Sequence, residues 1–317
     1  MASQRLWFLV GPTASGKSAA GIELAQRIDA EVLSLDSMAV YRGMDVGTAK
    51  PSPQDRARVP HHLLDLVEPH EAFSTGRYVE VAEAAIVEVR ARGKRPLFVG
   101  GTALYLKALT EGFFEAPAAD WELRNRLKAE AVAHSSAALH ERLRGLDPAA
   151  AERIHPHDLR RIVRALEVYH LTGRPISEQQ RRSTRPPPGR ECLLAGLWWG
   201  REALHERIDR RVDAMFEAGL VDEVRRLLAD PRGISHAASQ FVGYREVIAA
   251  LQGEHSLEEA RRRTKTRTHR FARRQLTWFR KFPHIRWVEA SAYSTTVDLA
   301  DALAEALGLA QQGRPDR

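Results

Sequence analysis

Residues 11–18 read GPTASGKS; the apolar run LWFLV precedes them and AAGIELAQRI follows. No other stretch narrows the fold as far. The spacing Gly-x-x-x-x-Gly-Lys-Ser asks for a loop that wraps phosphate oxygens, with a strand behind it and a helix ahead. Both flanks comply: RLWFLV reads as a short buried strand, and the residues after the loop put Ile22, Ala25 and Ile28 on one helical face. Backbone N–H groups around Ala14 to Lys17 then face a diphosphate at a helix N-terminus, where the dipole favours anions. Gly11, Pro12, Thr13, Ala14, Ser15, Gly16, Lys17 and Ser18 are the candidate diphosphate-binding residues. Lys17 adds a point charge on the outer phosphate, and the Ser18 hydroxyl is a candidate Mg2+ ligand.

The alternation continues. EVLSLD (31–36) reads as a second strand and RPLFVGG (95–101) as a third. Between them STGRYVEVAEAAIVEVRARG carries Val79, Ala82, Ile86 and Val89 at helical spacing, with Ser74 as cap and Gly93 as stop. Such alternation predicts an α/β fold, a parallel sheet flanked by helices, with ligands at the carboxyl ends of the strands. From Asp120 to about Gln180 only helices are legible, the last capped by Asp158 and ended by Gly173. RRSTRPPPGR (181–190) reads as a stiff connector. Strand signal resumes at CLLAGLWW (192–199), where the Trp198-Trp199 pair is most simply core, and again at HIRWVEA (284–290). The expectation is one α/β domain, 1–117 and 191–317, interrupted by an all-helical insertion domain, 118–190, with a tail frayed after Gly308.

The loop alone does not specify ATP. A hydrolysing motor or switch shows an apolar strand ending in a magnesium-holding acid, whereas RPLFVGGT ends in Gly-Gly-Thr. The acid is Asp36, closing VLSLD. A strand-end carboxylate beside a phosphate loop is placed to take a proton from an attacking nucleophile. It suits a helix cap or a magnesium-water ligand equally. The pattern favours group transfer over hydrolysis.

The net charge is +7, and the stretch 261–281 holds ten Lys or Arg and no acid. Arg263, Arg267, Arg270 and Arg274 share one helical face there, with Phe271, Leu276, Trp278 and Phe279 interleaved. DLRRIVR adds Arg160, Arg161 and Arg164. Two arginine-rich helices with aromatics suit a structured RNA, the competing reading being solvated helix faces. The single cysteine, Cys192, rules out an internal disulfide and a cysteine-built zinc site. PHHLLD (60–65) and HPHD (155–158) lack metal-ligand spacing. Leu6 to Val10 is too short to span a membrane or act as a signal peptide, and with its single cysteine the chain is expected in a reducing cytoplasm.

Taken together, GPTASGKS, LSLDSMAVYRGMDVGTAKP, PHHLLDLVEP, FVGGTALYLKAL, HPHDLRRIVRALEVYHLTG, SQFVGYRE and RRQLTWFRK occur in order over nearly the whole chain. In this the chain resembles the tRNA dimethylallyltransferases, or IPP transferases, which prenylate an adenine beside the anticodon. The resemblance implies a P-loop NTPase-like fold, with dimethylallyl diphosphate as donor, pyrophosphate as leaving group, and N6 of adenine-37 as acceptor in tRNAs reading codons that begin with U. It implies Asp36 as the base, Thr13 near the departing oxygen, and Lys17 with Mg2+ at Ser18 against the leaving group's charge. Arg225, by its place in VDEVRRLL, resembles a family arginine that contacts the diphosphate.

The family's RNA contacts fall on Asp36, Ser37, Met38 and Ala39, on Thr102 and Arg124, and on Leu159, Arg160, Arg161, Ile162 and Val163. They continue over Gln240, Phe241, Val242, Gly243, Tyr244 and Arg245, then Arg273, Arg274, Gln275, Leu276, Thr277, Trp278, Phe279 and Arg280. Gln240 stands where some members carry Arg. The helical insert resembles a domain that grips the anticodon stem. The resemblance further implies a bacterial type, without the C-terminal zinc finger of eukaryotic relatives, acting as a monomer. The alternatives are prenylation of free adenine nucleotides, a P-loop small-molecule kinase, and an RNA-binding nucleotide switch.

Overall fold

The computed structural model describes residues 5–114, 117–181 and 189–309. Most of the 181–190 connector, and the tail beyond residue 309, lie outside the described residues. The chain divides into two compact units, one formed by Met1–Leu106 with Pro188–Arg317, the other by Lys107–Pro187.

The first unit opens with β1 (Leu6–Val10), α1 (Lys17–Arg27), β2 (Ala30–Leu35), α2 (Pro53–Arg58), β3 (His61–His62), α3 (Thr75–Ala91) and β4 (Arg95–Gly100). α4 (Ala103–Glu111) begins in it. After the second unit come β5 (Cys192–Trp198), α10 (Arg201–Glu217), α11 (Leu220–Ala229), α12 (His236–Ser239), α13 (Tyr244–Leu251), α14 (Leu257–Phe279), β6 (Ile285–Glu289) and α15 (Thr296–Ala306). The six strands form one parallel sheet in the order β3-β2-β4-β1-β5-β6. β1, β2 and β4 are buried nearly throughout because both faces of the sheet are covered. Trp7, Leu9, Leu97 and Val99 join Leu24, Leu299 and Leu303 of α1 and α15 in one core. Phe8 and Phe98, offset by one residue and so facing the other way, stack at 5.0 Å.

Beyond the carboxyl ends of the strands lie two smaller cores. One gathers Met38, Tyr41 and Met44 with Leu220, Val224 and Tyr244. The other packs Ala14 of the loop against Leu204, Ile208 and Val212 of α10 and Ala272 of α14. Ser74 caps α3 through the Arg77 N–H, as its position before an apolar-periodic run predicts.

The second unit is all helical among its described residues: α5 (Trp121–His134), α6 (Ser136–Leu146), α7 (Pro148–Arg153), α8 (Leu159–Thr172) and α9 (Ile176–Arg181). Leu123, Leu127, Leu139, Leu143, Ile162 and Leu166 make its core. Glu167 is fully buried there and is held by Arg124 through two hydrogen bonds of 2.8 and 2.9 Å, by the Asp120 N–H at 2.8 Å, and by Arg164. Among the described residues no helix is long and apolar enough to cross a membrane.

Candidate functional site

The loop after β1 is built to present N–H groups. Ala14 sits at φ 62° and Gly16 at φ 89°, so the backbone alternates hand and its amides converge in a nest for an anion. Glycine is required at position 16 by that angle, whereas Ala14 bears backbone strain of about 1 kcal/mol. Strain of this kind persists where the surroundings fix it. Here Arg207 donates to the Ala14 carbonyl at 2.8 Å and Trp199 Nε1 to the Ser15 carbonyl at 2.9 Å. These bonds engage the loop's acceptors, which would otherwise repel a phosphate. The Arg207 guanidinium also lies over the Trp199 ring, 4.2 Å from its centroid. Trp198 thus ends β5, while Trp199 lies past it and buttresses the loop.

One cavity brings together Thr13, Lys17 and Ser18 of the loop, Asp36, Ser37 and Ala39 after β2, and Thr102 after β4. Phe241, Phe271 and Gln275 line it from the later helices, and Val32, Ala49, Leu64 and Val99 give it an apolar wall. Asp36 accepts the Met38 N–H at 2.8 Å, and the next residue, Ser37, donates its N–H to Thr102 Oγ1 at 3.0 Å. The carboxylate is therefore aimed by its own turn and braced from β4.

Two cations face Asp36. Lys17 donates to the Pro12 carbonyl at 2.9 Å. Burial and then the Arg211 charge push its ammonium down to about 8, with Asp36 opposing. Arg211, from α10, lines the same cavity and has no salt-bridge partner among the described residues. Burial lowers its pKa while Asp36 raises it. Two cations held close, neither in a salt bridge among the described residues, form a receptor for a polyanion. Lys50 lines the cavity too, its Nζ between Asp45 and Asp65 at 2.8 and 2.6 Å.

Arg211, Lys50 and Arg207 were not singled out from sequence, whereas Phe271 was, as one of the aromatics interleaved in the basic run. The usable signal was Arg207 and Arg211, four apart on an α10 face whose neighbours Leu204, Ile208 and Val212 are core. Arg225, by contrast, does not line this cavity; it is at the surface, paired with Asp222 at 2.7 Å.

Of the remaining RNA candidates in the first unit, Gln240, Arg245, Arg273, Arg274, Thr277 and Arg280 are exposed, and Leu276, Trp278 and Val242 partly so. Tyr244 and Phe279 are fully buried, as is most of Met38, so any RNA contact of theirs runs through backbone. Gly243 takes φ 98° at the start of α13. Arg270, Arg273, Arg274, Thr277 and Trp278 line a surface groove, with Lys281 over the Trp278 ring. In the second unit Ile162 and Val163 are core, Leu159 packs against that core, Arg160 is exposed, and Arg161 pairs with Asp158.

Among the described residues no group of three or more His, Cys, Asp or Glu side chains converges to hold a metal ion. Ser18, exposed in the first turn of α1, opens into the same cavity. A hydroxyl plus substrate phosphate oxygens and water is the set Mg2+ accepts, since it gives up its hydration reluctantly. The residues fit.

A family model described as IPP transferase matches residues 39–282. The tRNA dimethylallyltransferase of Geobacter metallireducens is 48% identical over 285 residues, covering 90% of this chain and 92% of that protein. That of a Roseiflexus species is 49% identical over 287 residues, covering 90% and 92%. The crystal structure of the full-length tRNA isopentenylpyrophosphate transferase of Bacillus halodurans superposes with a TM-score of 0.69 at 38% identity, covering 96% of this chain and 97% of that one. A eukaryotic dimethylallyltransferase, solved as snapshots of its action on tRNA, gives 0.73 at 28% identity, covering 93% and 77%.

Proposed function

Because the chain belongs to the IPP transferase family, we propose that its cavity transfers a dimethylallyl group from dimethylallyl diphosphate to N6 of adenine-37 in tRNAs reading codons that begin with U. The activity is that of a prenyl transferase acting on tRNA. The observation that carries the donor and residue assignments is the meeting, in one cavity, of the Lys17 loop, Arg211, the Asp36 carboxylate and an apolar wall. A diphosphate, an amine and a short hydrocarbon chain are what those three surfaces accommodate.

The exocyclic amine of adenine is a poor nucleophile, its lone pair delocalised into the ring. N6 attacks C1 of the dimethylallyl group, the C1–O bond breaks, and the electron pair leaves with pyrophosphate. Asp36 accepts the amine's proton as the carbon–nitrogen bond forms. The loop N–H groups, Lys17 and Arg211 hold the leaving group as its charge grows, and Thr13 lies beside the departing oxygen. Ser18 and the substrate's phosphate oxygens would hold Mg2+, which would supply further neutralisation of that charge. The base must leave its stack to reach Asp36, a cost of about a few kcal/mol that is smaller in a loop. Arg270, Arg273 and Arg274 meet RNA phosphate, and the second unit grips the anticodon stem. The protein works as a monomer.

Asp36→Asn tests the assignment. It is expected to lower product formation at least about 1,000-fold while anticodon stem-loop and pyrophosphate binding stay within about twofold. Full activity in that variant removes Asp36 as the base.

A further inference from the structure

We infer that Gln275 is a positioning residue: its carboxamide ties the diphosphate loop to the carboxyl end of β4 and so fixes the leaving-group side of the cavity against Asp36. The Thr13 N–H donates to Gln275 Oε1 at 2.8 Å, and Gln275 Nε2 donates to the Gly101 carbonyl at 2.9 Å. A backbone N–H only donates and a carbonyl only accepts, so the amide has one workable orientation. The side chain is buried, and Gly101 has no room for a Cβ, which would stand 2.4 Å from Nε2. A side chain at position 101 would displace the amide from that place.

The neighbouring residue completes the device. Thr102 Oγ1 accepts the Ser37 N–H at 3.0 Å, and the N–H groups of Gly101 and Thr102 both donate to the Leu35 carbonyl, at 3.1 and 3.0 Å. Two consecutive residues at the end of β4 therefore carry one strap to each reacting side. Gly101 reaches the loop through Gln275, and Thr102 reaches the turn that holds Asp36. Because Gln275 satisfies the Thr13 N–H, that donor is turned away from the anion, and the later amides of the loop are left to grip it. Gln275 lies on the same helix as the exposed Arg273 and Arg274, yet both of these amide bonds run to protein backbone. Its contribution belongs to the diphosphate and not to RNA contact.

This inference rests on the reading of the loop as a diphosphate site, so binding of inorganic pyrophosphate with Mg2+ to the wild-type protein is measured first. No binding overturns that reading and the role of Gln275 with it. Given binding, Gln275→Leu is expected to lower kcat/KM for dimethylallyl diphosphate about 100-fold, the scale for a misplaced reacting group, with stem-loop affinity unchanged. A loss of stem-loop affinity in step with activity, or a kcat/KM within about threefold of wild type, overturns the positioning role and leaves the diphosphate reading intact.

Gln275→Glu keeps the test sharp if the leucine variant folds poorly. A neutral carboxylic acid offers an acceptor and a donor as the amide does, whereas a carboxylate turns an oxygen on the Gly101 carbonyl. The titratable and charged groups lining the same cavity are Lys17 from α1, Asp36 after β2, Lys50 ahead of α2, His61 of β3 and Arg211 of α10. All are common to the wild type, so the readout is the ratio of variant to wild-type kcat/KM. That ratio is expected to climb as pH falls from about 8.5 to 6, approaching about tenfold per pH unit where the carboxylate dominates. A ratio flat with pH overturns the inference.

Discussion

In the first half of α14, Arg261 and Lys265 meet Asp213, Arg262 and Arg263 meet Glu259, and Arg267 meets the buried Glu246. In the second half, Arg270, Arg273 and Arg274 are exposed and meet no acid among the described residues. The sequence shows one basic run, and the fold divides it into a part that holds the protein together and a part that faces outward. Arg225 and Arg211 repeat the contrast on α11 and α10. The first is neutralised by Asp222 at the surface, and the second lines the cavity with no salt-bridge partner among the described residues. A cation's task is set by what sits beside it, which spacing in sequence does not disclose.

The largest effect that bears on this contrast is at Arg211. Arg211→Ala is expected to lower kcat/KM for dimethylallyl diphosphate about 100- to 1,000-fold, the range for loss of one leaving-group donor. Arg211→Lys should recover part of it, lacking the planar fork. An effect under about threefold would break the comparison at its centre.

The same variant reports on Lys17. That ammonium is depressed to about 8 by burial first and by Arg211 second. Pyrophosphate affinity of the wild type should therefore fall as pH rises through about 8, and in Arg211→Ala the fall should move to higher pH. Because the folded state holds this proton less tightly than the unfolded chain does, the charged Lys17 opposes folding below about pH 8. That penalty is relieved as pH climbs toward 10.5. A fall in affinity at the same pH in both proteins would separate Lys17 from Arg211.

Arg270→Ala with Arg274→Ala comes next. Stem-loop binding should weaken about tenfold, and the slope of log affinity against log salt should shrink by about 1.5 to 2. An unchanged slope would return this half of α14 to a solvated face. Arg225→Ala is expected to cost less than about fivefold in kcat/KM, since an exposed ion pair contributes little; a loss on the Arg211 scale would mean that α11 moves toward the cavity. Smallest is Arg262→Ala, whose partner is Glu259, with the salt slope expected to match wild type.

The strand–loop–helix unit around GPTASGKS, the later strands and the all-helical insert were legible because each is announced by local periodicity. β3, two residues on the edge of the sheet, offered no period to read and is defined only by its pairing with β2. The loop and Asp36 were legible as motif residues. Arg211 was not, because its meeting with Lys17 is made by tertiary packing of α10. Gln275 was legible only as part of a basic helix, since its partner Thr13 stands 262 residues away. Tyr244 and Phe279, read among the RNA contacts, carry side chains that fill the core instead of reaching the surface.

The central claim is that this cavity joins a five-carbon prenyl group to an adenine amine in RNA, and mass analysis of a modified anticodon stem-loop tests it most directly. The protein is incubated with Mg2+, dimethylallyl diphosphate and no ATP, with one stem-loop carrying adenine-37 and a second carrying guanine there. A single dimethylallyl addition to the adenine loop alone, matched by release of pyrophosphate, is the expected result. No addition by folded protein that binds the stem-loop, or equal addition to both loops, would contradict it.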